Sequence, residues 1–343
     1  MQPIEFAELL SRYSSEGTPF LFLIDFEMRK PFICRLDEAA DEGVFFDIRG
    51  MSNFSSHPGL SAGWAEPEAG DLGRGSPSIL SPERNYIPAC DYGRAFSTVL
   101  KNLEGGNTYL CNLTFPTEVS VASGHPDPLT AVCSRASAPY RLLFRDEFVM
   151  FSPECFVRID DDYIYSYPMK GTIDASLPNA AETILNDRKE FWEHNTIVDL
   201  IRNDIGMISE SVDVTRFRFL DLIRMPDKQL YQVSSEIRGK LPADWRSGLG
   251  SMLLRLLPAG SISGAPKRRT VEIIAEAEGG PRGYYTGVFG VFDGERLDSA
   301  VNIRYIEKDG GKLFFRSGGG ITANSCEASE YQELKDKVNV PVG

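Results

Sequence analysis

Two pairs of glutamates and one framed lysine are the residues best able to do chemistry together. Glu190 and Glu193 stand three apart in NDRKEFWEHNTIVDLIRND, and Glu327 and Glu330 stand three apart in NSCEASEYQE. On a helix that spacing puts both members of a pair on one face. Four converging carboxylates repel one another unless a divalent cation holds them, and ligation by oxygen alone suits Mg2+. From spacing alone the favoured reading is two solvated helix faces, and Glu327 also suits a capping box with Asn324.

Lys170 sits in SYPMKGTIDA (166–175), between a proline-led strand end and a Gly-Thr turn. A crowded lysine can lose its proton and act as a nucleophile. Upstream, CFVRI and YIYSY flank the acidic turn Asp160-Asp161-Asp162 and read as a hairpin. Residues facing across it have numbers summing to roughly 322–324. Extended far enough, that register brings Glu154 near positions 168–170, a carboxylate beside Lys170.

Three further features bear on ligand binding. PAGSISGAPK (258–267) has small residues that let backbone approach a ligand, and a helix beginning at Pro266 would offer its positive end to an anion. The Walker pattern fails, because Lys267 follows Ala-Pro and no Ser or Thr comes next; a plain structural turn fits as well. Gly318-Gly319-Gly320 lies between the strand KLFFRS and the last helix, where exposed amides could cradle a carboxylate. Arg304 interrupts the apolar run SAVNIRYIE, so it needs an anionic partner, either a structural Asp or a ligand carboxylate. Of the histidines at 57, 125 and 194, His194 follows Glu193 and has no evident serine partner, which argues against a hydrolase triad.

The elements that must position these residues follow from periodicity and punctuation. FLFLIDF (20–26) and GVFFDIRG (43–50) read as strands, and 53–92, rich in Gly, Pro and Ser, as a long surface connection. A helix over DYGRAFSTVLKNLEGG precedes a strand over TYLCNLTFPTEVSV. The strands RLLFR, FVMFS, CFVRI and YIYSY then come in quick succession. One long helix is expected over 179–204, another from Pro266 to the Gly279-Gly280 stop, and a last one from Asn324 or Ser325 with Tyr331, Leu334 and Val338 as its apolar stripe. YYTGVFGVFDG, SAVNIRYIE and KLFFRS read as strands. Strand runs mixed with long helices predict an α+β architecture without regular βαβ alternation. Residues 1–90 are expected to complete the fold of a core spanning 91–343, as one structural domain overall.

Bulk composition narrows the function class. The 343 residues are 42% hydrophobic and 25% charged, ordinary for a globular chain, with a net charge of −13. Nucleic acid would demand clustered Lys and Arg, and only PKRR (266–269) offers any. An anionic ligand would need a metal ion or a few placed cations against this global field. Six cysteines without CxxC spacing argue against a zinc site or a disulfide framework. MQPIEFAELLSRY lacks the apolar core of a secretory signal and FLFLI is too short to span a bilayer, so no membrane association and a cytoplasmic location are expected.

Several stretches, in order, resemble the chorismate-utilising enzymes: anthranilate synthase component I, aminodeoxychorismate synthase component I, and isochorismate and salicylate synthases. They are SPECF (152–156), PMKGT (168–172), EFWEHNTIVDLIRNDIG (190–206), LPAGSISGAPKRRTVEII (257–274), RGYYTGVFG (282–290), NIRYIE (302–307) and SGGGITANSCEASEYQE (317–333). The resemblance implies that family's fold, two stacked, mostly antiparallel sheets flanked by helices. It implies that Glu190, Glu193, Glu327 and Glu330 bind Mg2+, which holds the ring carboxylate of chorismate. Arg304, Tyr285 and the amides of Gly318, Gly319 and Gly320 match positions gripping the enolpyruvyl carboxylate. Lys267 and the Gly260–Gly264 loop, with Ser261, line the same site, as does Thr172 of PMKGT. DLIRND reads as architectural, with Asp199 pairing Arg202 and Gly206 ending the helix.

Lys170 points within the family to aminodeoxychorismate synthase component I, since most branches carry alanine there. The chemistry implied is attack of Lys170 on C2, with Glu154 as general acid, and amination at C4 by ammonia from a separate glutamine amidotransferase, feeding 4-aminobenzoate and folate synthesis. Anthranilate synthase component I is the alternative; a pyridoxal phosphate enzyme using Lys170 and a noncatalytic subunit are more distant ones. Two positions depart from relatives: Tyr231 stands where many have histidine, and Leu110 where isochorismate-forming members have a water-activating lysine. No tryptophan-binding motif is read, so feedback by tryptophan is not expected.

Overall fold

FLFLI lacks polar alternation because both faces of its strand are covered. The computed structural model describes residues 1–60, 78–121, 127–224 and 229–342. In it, β1 (Phe20–Ile24) sends Phe20, Phe22 and Ile24 into one apolar cluster and Leu21 and Leu23 into another. It lies between β2 (Phe32–Arg35) and β14 (Val288–Phe292) in a nine-stranded sheet. From β14 the sheet continues through β15 (Leu297–Val301), β8 (Cys155–Asp160) and β9 (Tyr163–Ser166) to the long β12 (Gln229–Lys240). One edge of β12 pairs with β9 and β10 (Met169–Asp174), the other with β11 (Ser211–Arg224).

The second sheet has eight strands. Its order is β13 (Gly264–Ala265), β5 (Leu110–Val119), β17 (Lys312–Ile321), β16 (Tyr305–Asp309), β7 (Phe148–Ser152), β6 (Tyr140–Phe144), β3 (Val44–Ile48) and β4 (Met51–Ser52). Among the described residues every strand pairing in both sheets is antiparallel.

Alternation explains the stacking. Leu21 and Leu23 of the first sheet meet Phe46, Leu142, Phe148 and Met150 of the second, while Val149 and Phe151 point the other way, under α3 (Pro128–Arg135). The first sheet's other face shares one apolar cluster with α1 (Pro3–Glu16) and α6 (Trp245–Leu256), through Phe6 and Leu253, and with α2 (Ala89–Glu104) and α7 (Lys267–Glu278), which lie against β5 of the second sheet and contribute Phe96 and Ile273. The remaining helices, α4 (Ala180–Asn186), α5 (Arg188–Gly206) and α8 (Glu327–Asp336), gather near one end of the sheets. This is the expected α+β fold of two stacked antiparallel sheets flanked by helices.

Local punctuation overrode several expectations. The helix expected over 179–204 is two, because Asp187 stops α4 and caps α5, its carboxylate accepting from Glu190 N at 2.9 Å. SAVNIRYIE is not one strand: β15 and β16 belong to different sheets, and the chain crosses at Asn302–Arg304, with Arg304 at φ 53°. Gly318, Gly319 and Gly320 lie inside β17, paired with Thr114, Leu113 and Asn112, and make no turn. The last helix starts at Glu327, with Cys326 as its N-cap, so Asn324 forms no capping box with Glu327. Of the connection over 53–92, residues 61–77 lie outside the described ones; the flanking Leu60, Ile79 and Leu80 are buried core residues.

Candidate active site

The strand end that carries Lys170 is irregular for a reason. Met169 pairs with Ser234 and Thr172 with Gln232, so the register slips across Lys170 and Gly171. Gly171 adopts φ +79°, and a Cβ on it would stand 2.7 Å from Glu190 Oε2. The Gly-Thr frame therefore admits Glu190 beside the lysine, and only glycine suits both the dihedral and the space. Lys170 Nζ lies 3.1 Å from Glu193 Oε2, and Lys189 Nζ lies 3.6 Å from the other oxygen of that carboxylate. The acid beside Lys170 is thus Glu193, not Glu154. The β8–β9 hairpin keeps the expected register, Arg158 opposite Tyr165, but β10 leaves it to pair with β12.

Lys170 opens into a cavity of about 810 Å3, also lined by Glu154, Ser261, Tyr285, Arg304 and Gly318–Gly320. Arg188, Lys189, Arg316 and Lys337 line it too, so a chain of net charge −13 presents a cationic pocket, as an anionic ligand requires. Trp192 and Tyr109 line it as well, both largely exposed. Leu110, also on the lining, packs near Gly320.

Each polar group has a definite state. Glu154 accepts from Ser261 Oγ at 2.5 Å, and burial raises its pKa, favouring the protonated acid. Arg304 donates one hydrogen bond, to Lys337 O at 2.7 Å, and among the described residues it pairs with no carboxylate. Burial alone works against its charge. Tyr285 is buried and its hydroxyl is pushed up to about 12 by burial, so it remains a neutral donor. Beyond Arg316, the last partner of β16, one edge of β17 runs free along the cavity at Gly318–Gly320. Lys337 Nζ reaches that edge at Gly318 O, 2.8 Å away.

The acids fall into two groups. Glu190 and Glu193 of α5 and Glu330 and Glu333 of α8 all feel the charges of Lys170 and Lys189 or pair with them. Glu333 and Glu330 lie against Gly319, where a Cβ would stand 3.2 and 3.4 Å from their oxygens. Glu327 lies elsewhere, exposed and against Gly93 of α2. Burial raises the pKa of Glu190, with Glu193 adding to it, and burial likewise raises that of Glu330. Burial acts in the same sense on Glu333, but Lys337, 2.6 Å away, outweighs it and the net shift is downward. Glu190 Oε2 is buried without a hydrogen-bond partner. A stranded carboxylate oxygen among all-oxygen donors has the chemistry a hard divalent cation seeks. As they stand, no three acids, His or Cys among the described residues are close enough to enclose a metal; lysines hold Glu193 and Glu333 instead.

Three sequence readings are displaced. Thr172 is exposed on β10 and does not line the cavity. Lys267 lies beneath the lining, paired with Asp204 at 2.7 Å. His194 does have a serine partner, Ser235 Oγ at 2.7 Å, but burial, with Arg218 nearby, lowers its pKa to about 4, and it serves to tie α5 to β12 outside the cavity. His125 lies outside the described residues. Glu333, Lys337 and Asp204 were missed. The first two continue the i,i+3 and i,i+4 spacing of Glu330, a signal the sequence did carry. Asp204 sits in DLIRND, whose Asp199–Arg202 pair forms as expected at 2.6 Å and draws attention from it.

The model of the chorismate binding enzyme family matches residues 73–343. The chain belongs to that family. It is 49% identical over 338 residues to an uncharacterized PabA-like protein of Pasteurella multocida, covering 98% of both chains. It is 33% identical over 282 residues to aminodeoxychorismate synthase component 1 of Escherichia coli K12, covering 76% of this chain and 60% of that one. The crystal structure of anthranilate synthase component I from Streptococcus pneumoniae superposes with a TM-score of 0.63 at 28% identity, over 78% of this chain and 62% of that one. This member of the family thus spans nearly the whole of its PabA-like relative and about three fifths of the two named synthases. Among its described residues no helix is long and apolar enough to cross a membrane.

Proposed function

We propose that the protein aminates chorismate at C4, giving 4-amino-4-deoxychorismate, with ammonia supplied by a glutamine amidotransferase partner. The observation carrying this reading is that Lys170 and a half-buried, protonation-prone Glu154 line one cavity with an arginine that pairs with no carboxylate among the described residues. Arg304, Lys337 and Tyr285 receive the enolpyruvyl carboxylate, which orients the ring. Glu190, Glu193, Glu330 and Glu333 would hold Mg2+, with Glu333 in place of Glu327, and the ion would supply positive charge for the ring carboxylate.

Lys170 attacks as the free amine, giving its proton to solvent, and cannot do so while it stays bound to Glu193. The pair therefore has to part, and Lys189, on the same carboxylate, is placed to keep Glu193 when it does. Lys170 Nζ then bonds to C2, the ring double bonds shift, and the C4–O bond breaks as Glu154 gives its proton to the departing hydroxyl, which leaves as water. Ammonia bonds to C4, the double bonds return, and the C2–N bond breaks to regenerate Lys170. The surplus proton of the new amine restores Glu154.

Intact-protein mass spectrometry after exposure to chorismate and Mg2+ without ammonia tests this. An adduct of chorismate less water, mapped to Lys170 and absent in Lys170→Ala, is expected. Anthranilate fluorescence on adding ammonium, with no added lyase, would overturn the reading in favour of C2 amination.

A further inference from the structure

The loop of residues 257–266 between α6 and α7 carries Ser261, the hydrogen-bond donor to Glu154. Its two ends are clasped: Lys267, just past the loop, donates from Nζ to the carbonyl of Leu256, just before it, at 2.6 Å. The same ammonium pairs with Asp204 Oδ2, from the last turn of α5, at 2.7 Å, with only 18% and 13% of the two side chains exposed. Gly260 rests on this pair. A Cβ there would stand 3.1 Å from Asp204 Oδ2 and 3.0 Å from the Leu200 side chain. On the loop's other flank, Arg282 Nη1 donates to Ile262 O at 3.0 Å. Gly260 and Ser261 are thus fixed from two sides, and Ser261 passes that fixity to Glu154.

A largely buried ion pair is a costly way to stabilise a fold, since apolar side chains of similar volume often serve as well. Burial presses against both charges here, lowering the pKa of Lys267 and raising that of Asp204. What the pair does provide is directional geometry at the base of the loop.

We propose that Asp204 and Lys267 are positioning residues for the proton donor: they clamp Gly260 and Ser261 so that the Ser261 hydroxyl holds Glu154 at the cavity wall. The proposal rests on the reading of Glu154 as general acid. It predicts that Lys267 acts through Ser261, which a merely structural residue would not do.

The test is a four-variant cycle of wild type, Lys267→Met, Ser261→Ala and the double variant, assayed with chorismate, Mg2+ and saturating ammonium. Misplacing a catalytic group by about 1 Å can cost on the order of 100-fold. Lys267→Met is expected to lower kcat about 10- to 100-fold with KM for chorismate within about twofold. Ser261→Ala should lower kcat similarly, and the double variant should be no worse than Ser261→Ala alone. Lys267→Arg, which can still pair with Asp204, should recover most of the rate. Losses that multiply, a loss in KM alone, or an unchanged kcat in Lys267→Met would overturn the clamp. If Lys267→Met fails to fold because Asp204 is stranded, the cycle is run with Asp204→Asn/Lys267→Met in its place, which leaves no buried charge. A wild type that makes a different product from chorismate defeats the amination reading, while the same cycle on that turnover still decides the clamp. A wild type that binds chorismate without consuming it overturns both.

Discussion

Two arginines are withdrawn from solvent, Arg282 buried and Arg304 half-buried, and they live in opposite states. Arg282, 1% exposed, is fully served: Glu278 takes two of its N–H groups at 2.9 and 2.6 Å, and the carbonyls of Ile262 and Asn112 take others. Burial works to lower its pKa, yet Glu278 outweighs burial and the net shift is upward. Among the described residues Arg304 has one backbone carbonyl and no acid, and its pKa is lowered by burial. A buried cation with a full set of partners belongs to the framework; one held beside a cavity without an anion marks where an anion goes.

The comparison breaks most sharply at Glu278. Glu278→Ala strands a buried guanidinium and should cost about 3–5 kcal/mol, read from urea denaturation. Arg304→Met should do the reverse: stability within about 1 kcal/mol of wild type, but binding of chorismate weakened by about 2–4 kcal/mol in calorimetry. Equal destabilisation by the two substitutions would dissolve the distinction. The pH profile sharpens it at Glu154. Its raised pKa keeps the acid protonated above the usual carboxylate range, so turnover should fall about tenfold per unit as pH climbs through that value. The sign for stability is the same: the contribution is present below the unfolded-state pKa and fades as pH rises through the folded one. Glu154→Gln should abolish that alkaline limb, and a limb that survives would assign it to another group. The smallest effect is expected at exposed Thr172, where Thr172→Ala should stay within about 0.5 kcal/mol in stability and leave KM unchanged.

Arg304 was legible in the sequence because a guanidinium inside an apolar run is anomalous wherever the run goes. Its neighbours were less so. That NIRYIE leaves one sheet and enters the other is decided by the Asn302 hydrogen bonds to Tyr284 and Gly287, contacts far away in sequence. Glu190 and Glu193 were found because helical spacing is a local rule. Glu327 was preferred to Glu333 by the same rule, since spacing alone cannot tell which side of α8 faces the cavity. The hairpin register of β8–β9 was exact in its sum, yet it could not reveal that β10 would abandon that partner for β12. Strand choice is a tertiary outcome, whereas register within a tight turn is a local one.

The place of β1 has a practical consequence. The family match starts at residue 73, yet β1 supplies the hydrogen-bonding neighbour of β14, from Phe20 opposite Phe292 to Ile24 opposite Val288. Trimming the gene to the matched region would strip β1 and its edge neighbour β2 from the first sheet and leave a bare, sticky edge along β14, inviting precipitation in place of a smaller working enzyme.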